Sequence, residues 1–84
     1  MEKNLEKIKE KLIPSLKKLN IIITDITYSK KGKYNFLTIE LDKEGGLDLD
    51  TIVEASNVIN PIIDKLDLID DSYILDIVSK ERGN

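Results

Sequence analysis

Apolar positions recur along this chain with two different periods, and each change of period marks an element boundary. Leu5, Ile8, Leu12, Leu16 and Leu19 are spaced by three or four, one stripe of a helix predicted over residues 2–19. Pro14 lies inside that stripe, where it removes an N–H and crowds the Glu10 carbonyl, so a kink is expected but not two helices. Asn20 suits a left-handed stop. A period of two then takes over across residues 21–28. It puts Ile22, Thr24, Ile26 and Tyr28 on one face and Ile21, Ile23, Asp25 and Thr27 on the other. The alternation is cleaner at the end of that run than at its start. Ser29 to Lys33 has hairpin-loop length, with Gly32 supplying positive φ. A second strand over residues 33–42 directs Leu37, Ile39 and Leu41 inward, leaving Tyr34, Phe36 and Thr38 on the opposite side.

The next junction is the best defined in the chain. Gly45 and Gly46 admit backbone angles closed to residues with a Cβ, and Asp48 is placed to cap the helix that follows. Asp50 adds negative charge near the positive end of that helix. The helix is predicted over Leu49–Leu66, with a buried stripe of Ile52, Ala55, Ser56, Ile59, Ile62, Ile63 and Leu66 and a bend at Pro61. Asp64, Asp67, Asp70 and Asp71 bracket an acidic exit. A last strand over residues 72–79 turns Tyr73, Leu75 and Ile77 inward, and residues 80–84 are expected to fray.

The element order is α-β-β-α-β, which implies an α+β two-layer sandwich with both helices on one face of a three-stranded sheet. The second helix returns the chain to the far end of the sheet, so the last strand should run parallel to the second. Placing it beside the first strand gives an antiparallel sheet of order 2-1-3. The uncovered face would then show some of Tyr28, Tyr34, Phe36, Ile74 and Val78, an aromatic and aliphatic patch fit for a protein partner.

Composition narrows the functions open to this fold. Eighty-four residues make one domain and bury roughly 60–65% of their unfolded surface. Fourteen Ile against one Phe and no Trp mean that β-branched aliphatics fill the interior. There is no Cys and no His, which excludes disulfides, thiol redox chemistry and imidazole catalysis, and nearly all zinc sites. The charged N-terminus lacks a signal-peptide core and no apolar run approaches a membrane span, so a cytoplasmic location is expected. Charge is unevenly placed. Residues 1–33 carry nine Lys against four acids, a net +5, while residues 34–84 carry three Lys and one Arg against twelve acids, a net −8, giving the chain its −3. Such asymmetry can orient a molecule on a charged partner.

Taken together, these elements resemble the N-terminal domain of the RimP family of ribosome maturation factors. The resemblance rests on Asp42 at a strand end, Gly45 and Gly46, the acidic entry Asp48, Ser56 in mid-helix, and Pro61-Ile62-Ile63-Asp64. It is completed by a strand containing Tyr73, Leu75, Asp76, Ile77 and Ser79, and by the earlier IPSLKKLNIIITDITY. It covers nearly the whole chain, although that family follows its last strand with Ser-Pro-Gly and a second, Sm-like barrel. Here Ser79 precedes Lys80 and Glu81, and residues 1–84 are expected to be an N-terminal-like domain without the barrel, either an excised domain or a short relative. The resemblance implies a non-enzymatic, monomeric assembly factor that uses no cofactor and contacts neither membrane nor DNA. It would bind the immature small ribosomal subunit near a ribosomal protein and help it mature.

The side chains present fit binding better than chemistry. Asp42, Glu44, Asp48 and Asp50 invite a calcium reading, but counting from Asp42 the sixth residue is Leu47 and the twelfth Val53, where an EF-hand needs Gly and Glu. Ser56 has no His to activate it, and the carboxylates sit on loops without an apolar pocket to shift them. Lys30, Lys31 and Lys33 form the compact basic cluster at the hairpin tip, a solvated turn or a phosphate contact on ribosomal RNA. Lys7, Lys11 and Lys18 of the first helix are the further candidates for that contact, and Tyr28, Tyr34 and Phe36 are the candidate protein-contact face. A free-standing KH-like RNA-binding module is the alternative, against which stand adjacent glycines flanked by Glu44 and Asp48 in place of a Gly-x-x-Gly clamp.

Overall fold

A computed structural model describes residues 1–80. The elements run α1 (Glu2–Lys17), β1 (Ile21–Lys31), β2 (Tyr34–Lys43), α2 (Leu49–Leu66) and β3 (Ile74–Ser79). The predicted fraying of residues 80–84 falls, beyond Lys80, outside the described residues. α1 continues through Pro14 as one helix and buries Ile8, Leu12 and Leu16. It unwinds through tight turns, Leu19 N–H donating to the Leu16 carbonyl and Asn20 N–H to the Lys17 carbonyl. Asn20 then takes the left-handed conformation expected of it, φ +61°.

β1 and β2 form a hairpin tighter than its sequence implied. Pairing extends to Lys31 opposite Tyr34, leaving Gly32 and Lys33 as the turn, with Gly32 at φ +61°. Glycine at the first of two turn residues suits the right-handed twist of the strands it joins. The register of β1 shifts between Ile23 and Asp25, so Thr24 is an extra residue, a β-bulge. Its hydroxyl faces Glu40, 2.7 Å from a carboxylate oxygen and 3.2 Å from the carbonyl. The bulge reverses the facing of everything after it. Ile23, Ile26 and Tyr28 lie opposite Leu41, Ile39 and Leu37, all on the core side, which strict alternation could not give.

The sheet order is β1-β2-β3, with β1 antiparallel and β3 parallel to β2. This corrects the antiparallel 2-1-3 arrangement: β3 does run parallel to β2, but beside it. The physical reason lies in the strands themselves. Leu37, Ile39 and Leu41 are fully buried, as the middle strand requires, whereas β1 carries exposed Asp25, Thr27, Ser29, Lys30 and Lys31, the composition of an edge. α2 acts as the crossover that joins two adjacent parallel strands.

At the β2–α2 junction Gly45 and Gly46 sit at φ +86° and +94°. Asp48 accepts from the Thr51 N–H at 2.8 Å and the Thr51 hydroxyl at 2.6 Å, and those bonds hold its carboxyl below the usual value of 3.8. α2 ends at Asp67, also left-handed. One buried cluster joins Ile8, Leu12 and Leu16 of α1, Ala55, Ile59 and Ile63 of α2, the three β2 leucine and isoleucine side chains, Ile21 and Ile69. Two side-chain bonds tie distant segments together. Asn4 Nδ2 donates to the Leu68 carbonyl and Asn35 Nδ2 to that of Ser72, both at 3.1 Å.

Candidate functional site

The register of the sheet defines a second side, away from the core cluster. Successive rows there are Lys31 with Tyr34, then Ser29, Phe36 and Ile74, then Thr27, Thr38 and Asp76, then Asp25, Glu40 and Val78. One end of this face is aromatic and aliphatic, its middle is threonine, and its far end is acidic. Tyr34 is 60% exposed and Ile74 44% exposed, so two large apolar side chains stand in solvent within two rows of each other.

The hairpin tip overhangs the aromatic end. Lys30, Lys31 and Lys33 are all exposed there, and the Lys31 ammonium lies 5.9 Å from the centroid of the Phe36 ring, within cation–π range. Between the tip and the start of β3 is a cleft of about 380 Å³ lined by Lys33, Tyr34, Asn35, Ser72, Tyr73 and Ile74. The Asn35–Ser72 bond pins its floor. On the other side of Tyr73 a second cleft of about 410 Å³ is lined by Asn60, Asp64, Asp71, Ser72, Tyr73 and Leu75. Partial burial, then Asp64 and Asp67, push the Tyr73 phenol above its ordinary 10.0. Lys33 therefore flanks one side of Tyr73 and carboxylates the other.

The sequence-derived candidates divide accordingly. Lys30, Lys31, Lys33, Tyr34 and Phe36 are brought together. Tyr28 is not among them: it pairs with Leu37 on the core side, its hydroxyl buried without a hydrogen-bond partner among the described residues. Lys7 and Lys11 are exposed on α1, Lys11 beside Lys65 in a cleft between the helices. Lys18 caps α1 where β1 begins, and the eleven residues of β1 carry the chain roughly 30 Å from there to the tip. Lys18 and the tip lysines thus lie at opposite ends of β1. Asn35, Ser72 and Tyr73 also line the cleft, and none of them is a sequence-predicted site residue. Only the placement of β3 beside β2 brings Ser72 and Tyr73 to Tyr34 and Asn35, and alternation along a strand does not say which strand lies beside it.

Ser56 makes a local helix contact, its hydroxyl donating to the Ile52 carbonyl at 2.9 Å. Among the described residues no three metal-ligating side chains converge, and no helix is long and apolar enough to cross a membrane. A family model described as the RimP N-terminal domain matches residues 11–80, which hold all three strands, α2 and the second half of α1. The chain belongs to the RimP N-terminal domain family.

Proposed function

We propose that this RimP-type domain assists maturation of the small ribosomal subunit by binding, without catalysing a reaction. The single observation carrying this is the family match over residues 11–80. The uncovered sheet face supplies the protein contact: Phe36, Ile74 and Val78 form its apolar part, and Asp25, Glu40 and Asp76 suit a basic ribosomal protein. The corrected facing of β1 removes Tyr28 from this surface. The hairpin lysines Lys30, Lys31 and Lys33 contact ribosomal RNA phosphates nearby, and the α1 lysines Lys7, Lys11 and Lys18 make a second, weaker approach.

The test is co-sedimentation of the chain with immature and mature small subunits from cytoplasmic extract. Retention on immature particles, lost on Ile74→Glu with an unchanged melting curve, is the expected result. No preference for immature particles, or Ile74→Glu binding like the parent, overturns this reading of the face.

A further inference from the structure

The cleft beneath the hairpin tip combines two chemistries that the rest of the surface keeps apart. Lys33 lines it from the turn, and Lys31 stands over the Phe36 ring at the same hairpin tip, so the tip side of the cleft is cationic. Tyr34 presents a largely exposed ring, Tyr73 and Ile74 add flat and apolar surface, and Asn35 and Ser72 line it with polar atoms. Cations select an anion, and exposed phenol faces select a planar group. An unpaired nucleotide carries both, with phosphate and base one sugar apart. A basic peptide would meet three lysines at this end of the sheet.

We propose that this cleft holds one unpaired base of single-stranded RNA, stacked on Tyr34, with its phosphate on Lys33. The assignment rests on the ribosomal role above and deepens its RNA contact. The size fits, because about 380 Å³ lies at the low end of the roughly 300–1,000 Å³ of small-molecule sites. The orientation follows from the surroundings of Tyr73. Asp64 and Asp71 line the neighbouring cleft and repel phosphate, so the backbone of the strand runs on the lysine side and the base points toward the tyrosines. Duplex RNA keeps its bases stacked and presents none to the ring.

The experiment is fluorescence anisotropy of a labelled short oligoadenylate, titrated with the 84-residue chain and variants whose melting curves match the parent. Tyr34→Ala weakens binding about tenfold or more, while Tyr34→Phe, which keeps the ring, binds like the parent. Lys33→Glu weakens binding and lowers the slope of log affinity against log salt by about one. Lys80→Glu makes the same charge change at the opposite end of β3 and leaves affinity within about twofold. Duplex RNA of equal length binds more weakly than the single strand.

Tyr34→Ala binding as tightly as the parent overturns the proposal, as does Lys80→Glu matching Lys33→Glu. So does displacement of the oligonucleotide preference by a labelled oligoarginine peptide. Parent protein that co-sediments with immature subunits yet ignores the oligonucleotide overturns the cleft and leaves the ribosomal role standing. Parent protein that does neither overturns both.

Discussion

Leu37, Ile39 and Leu41 leave β2 on one side, and Phe36, Thr38 and Glu40 leave it on the other. The two sets interleave residue by residue and share one backbone, yet their surroundings have little in common. On the core side every position is aliphatic and sealed between strands and helices. On the other, an aromatic, a threonine and a carboxylate stand half exposed, and Glu40 even lies opposite Asp25 on the neighbouring strand. Like charges across an antiparallel pair cost stability. Such a placement suits a surface that meets something else, with the stability of the domain supplied from the other side. The parity of one strand thus separates holding the fold from presenting it, and each side should be alterable alone.

The hardest blow to that separation is delivered at its centre. Ile39→Ala removes a fully buried side chain of the core cluster and should cost about 2–5 kcal/mol. That is a large part of the roughly 5–15 kcal/mol that holds a domain folded. Thr38→Ala, one residue away, should stay within about 0.5 kcal/mol. Urea denaturation of both variants measures the contrast. Comparable losses at the two positions would mean that the second side is also packed.

How much of this contrast could be read before the fold was known depends on how local each signal is. Asn20 as a left-handed stop, Asp48 as a cap and the inward set of β2 are settled within a few residues, and all three are found in the structure. Strand order is not local. Alternation states which face of a strand is buried and says nothing about which strand lies beside it, so the edge that β3 takes is not legible from it. The cleft formed by Tyr34, Asn35, Ser72 and Tyr73 depends on that edge. The facing of Tyr28 is hidden for a different reason. The bulge at Thr24 depends on a hydrogen bond to Glu40, sixteen residues later, and it inverts every facing downstream. The signal available was a switch of parity within β1, Ile21 and Ile23 belonging to one alternating set and Ile26 and Tyr28 to the other.

That bulge yields an unusual expectation. Deleting one residue from a strand normally sends its apolar set to the wrong face. Deleting Thr24 instead leaves Ile21, Ile23, Ile26 and Tyr28 at every second position, all facing the core in a regular strand. The deletion variant should fold cooperatively, losing about 1 kcal/mol for the bonds to Glu40. Deleting Thr27, beyond the bulge, should abolish the cooperative transition. If the Thr24 deletion unfolds the protein as the Thr27 deletion does, the two sides of the sheet are not set by parity in the way described.

A smaller effect separates two of the tyrosines. The Tyr28 hydroxyl is buried on the core side without a partner among the described residues, whereas Tyr34 is 60% exposed. Tyr28→Phe should therefore raise stability by up to about 1 kcal/mol, since it removes a desolvated polar atom and little packing. Tyr34→Phe should leave the melting temperature where it is. A loss of stability in Tyr28→Phe would reveal a partner for that hydroxyl.

Tyr73 sits at the boundary between the two sides, and its titration sharpens where that boundary lies. Its phenol is raised above 10.0 first by burial and then by Asp64 and Asp67. Because the neutral form is favoured in the folded protein, the contribution of this group is fully present below 10.0 and is lost as pH rises through the higher folded value. Absorbance titration, with Tyr73→Phe as the difference spectrum, should place this phenol above 10.0. Asp64→Asn should bring it only part of the way back, since burial is the larger cause. The same substitution should soften the alkaline loss of stability without removing it, and Tyr73→Phe should flatten that loss further. Complete return to 10.0 in Asp64→Asn would make charge the whole cause, and would put Tyr73 out on the acidic rim, clear of the core side.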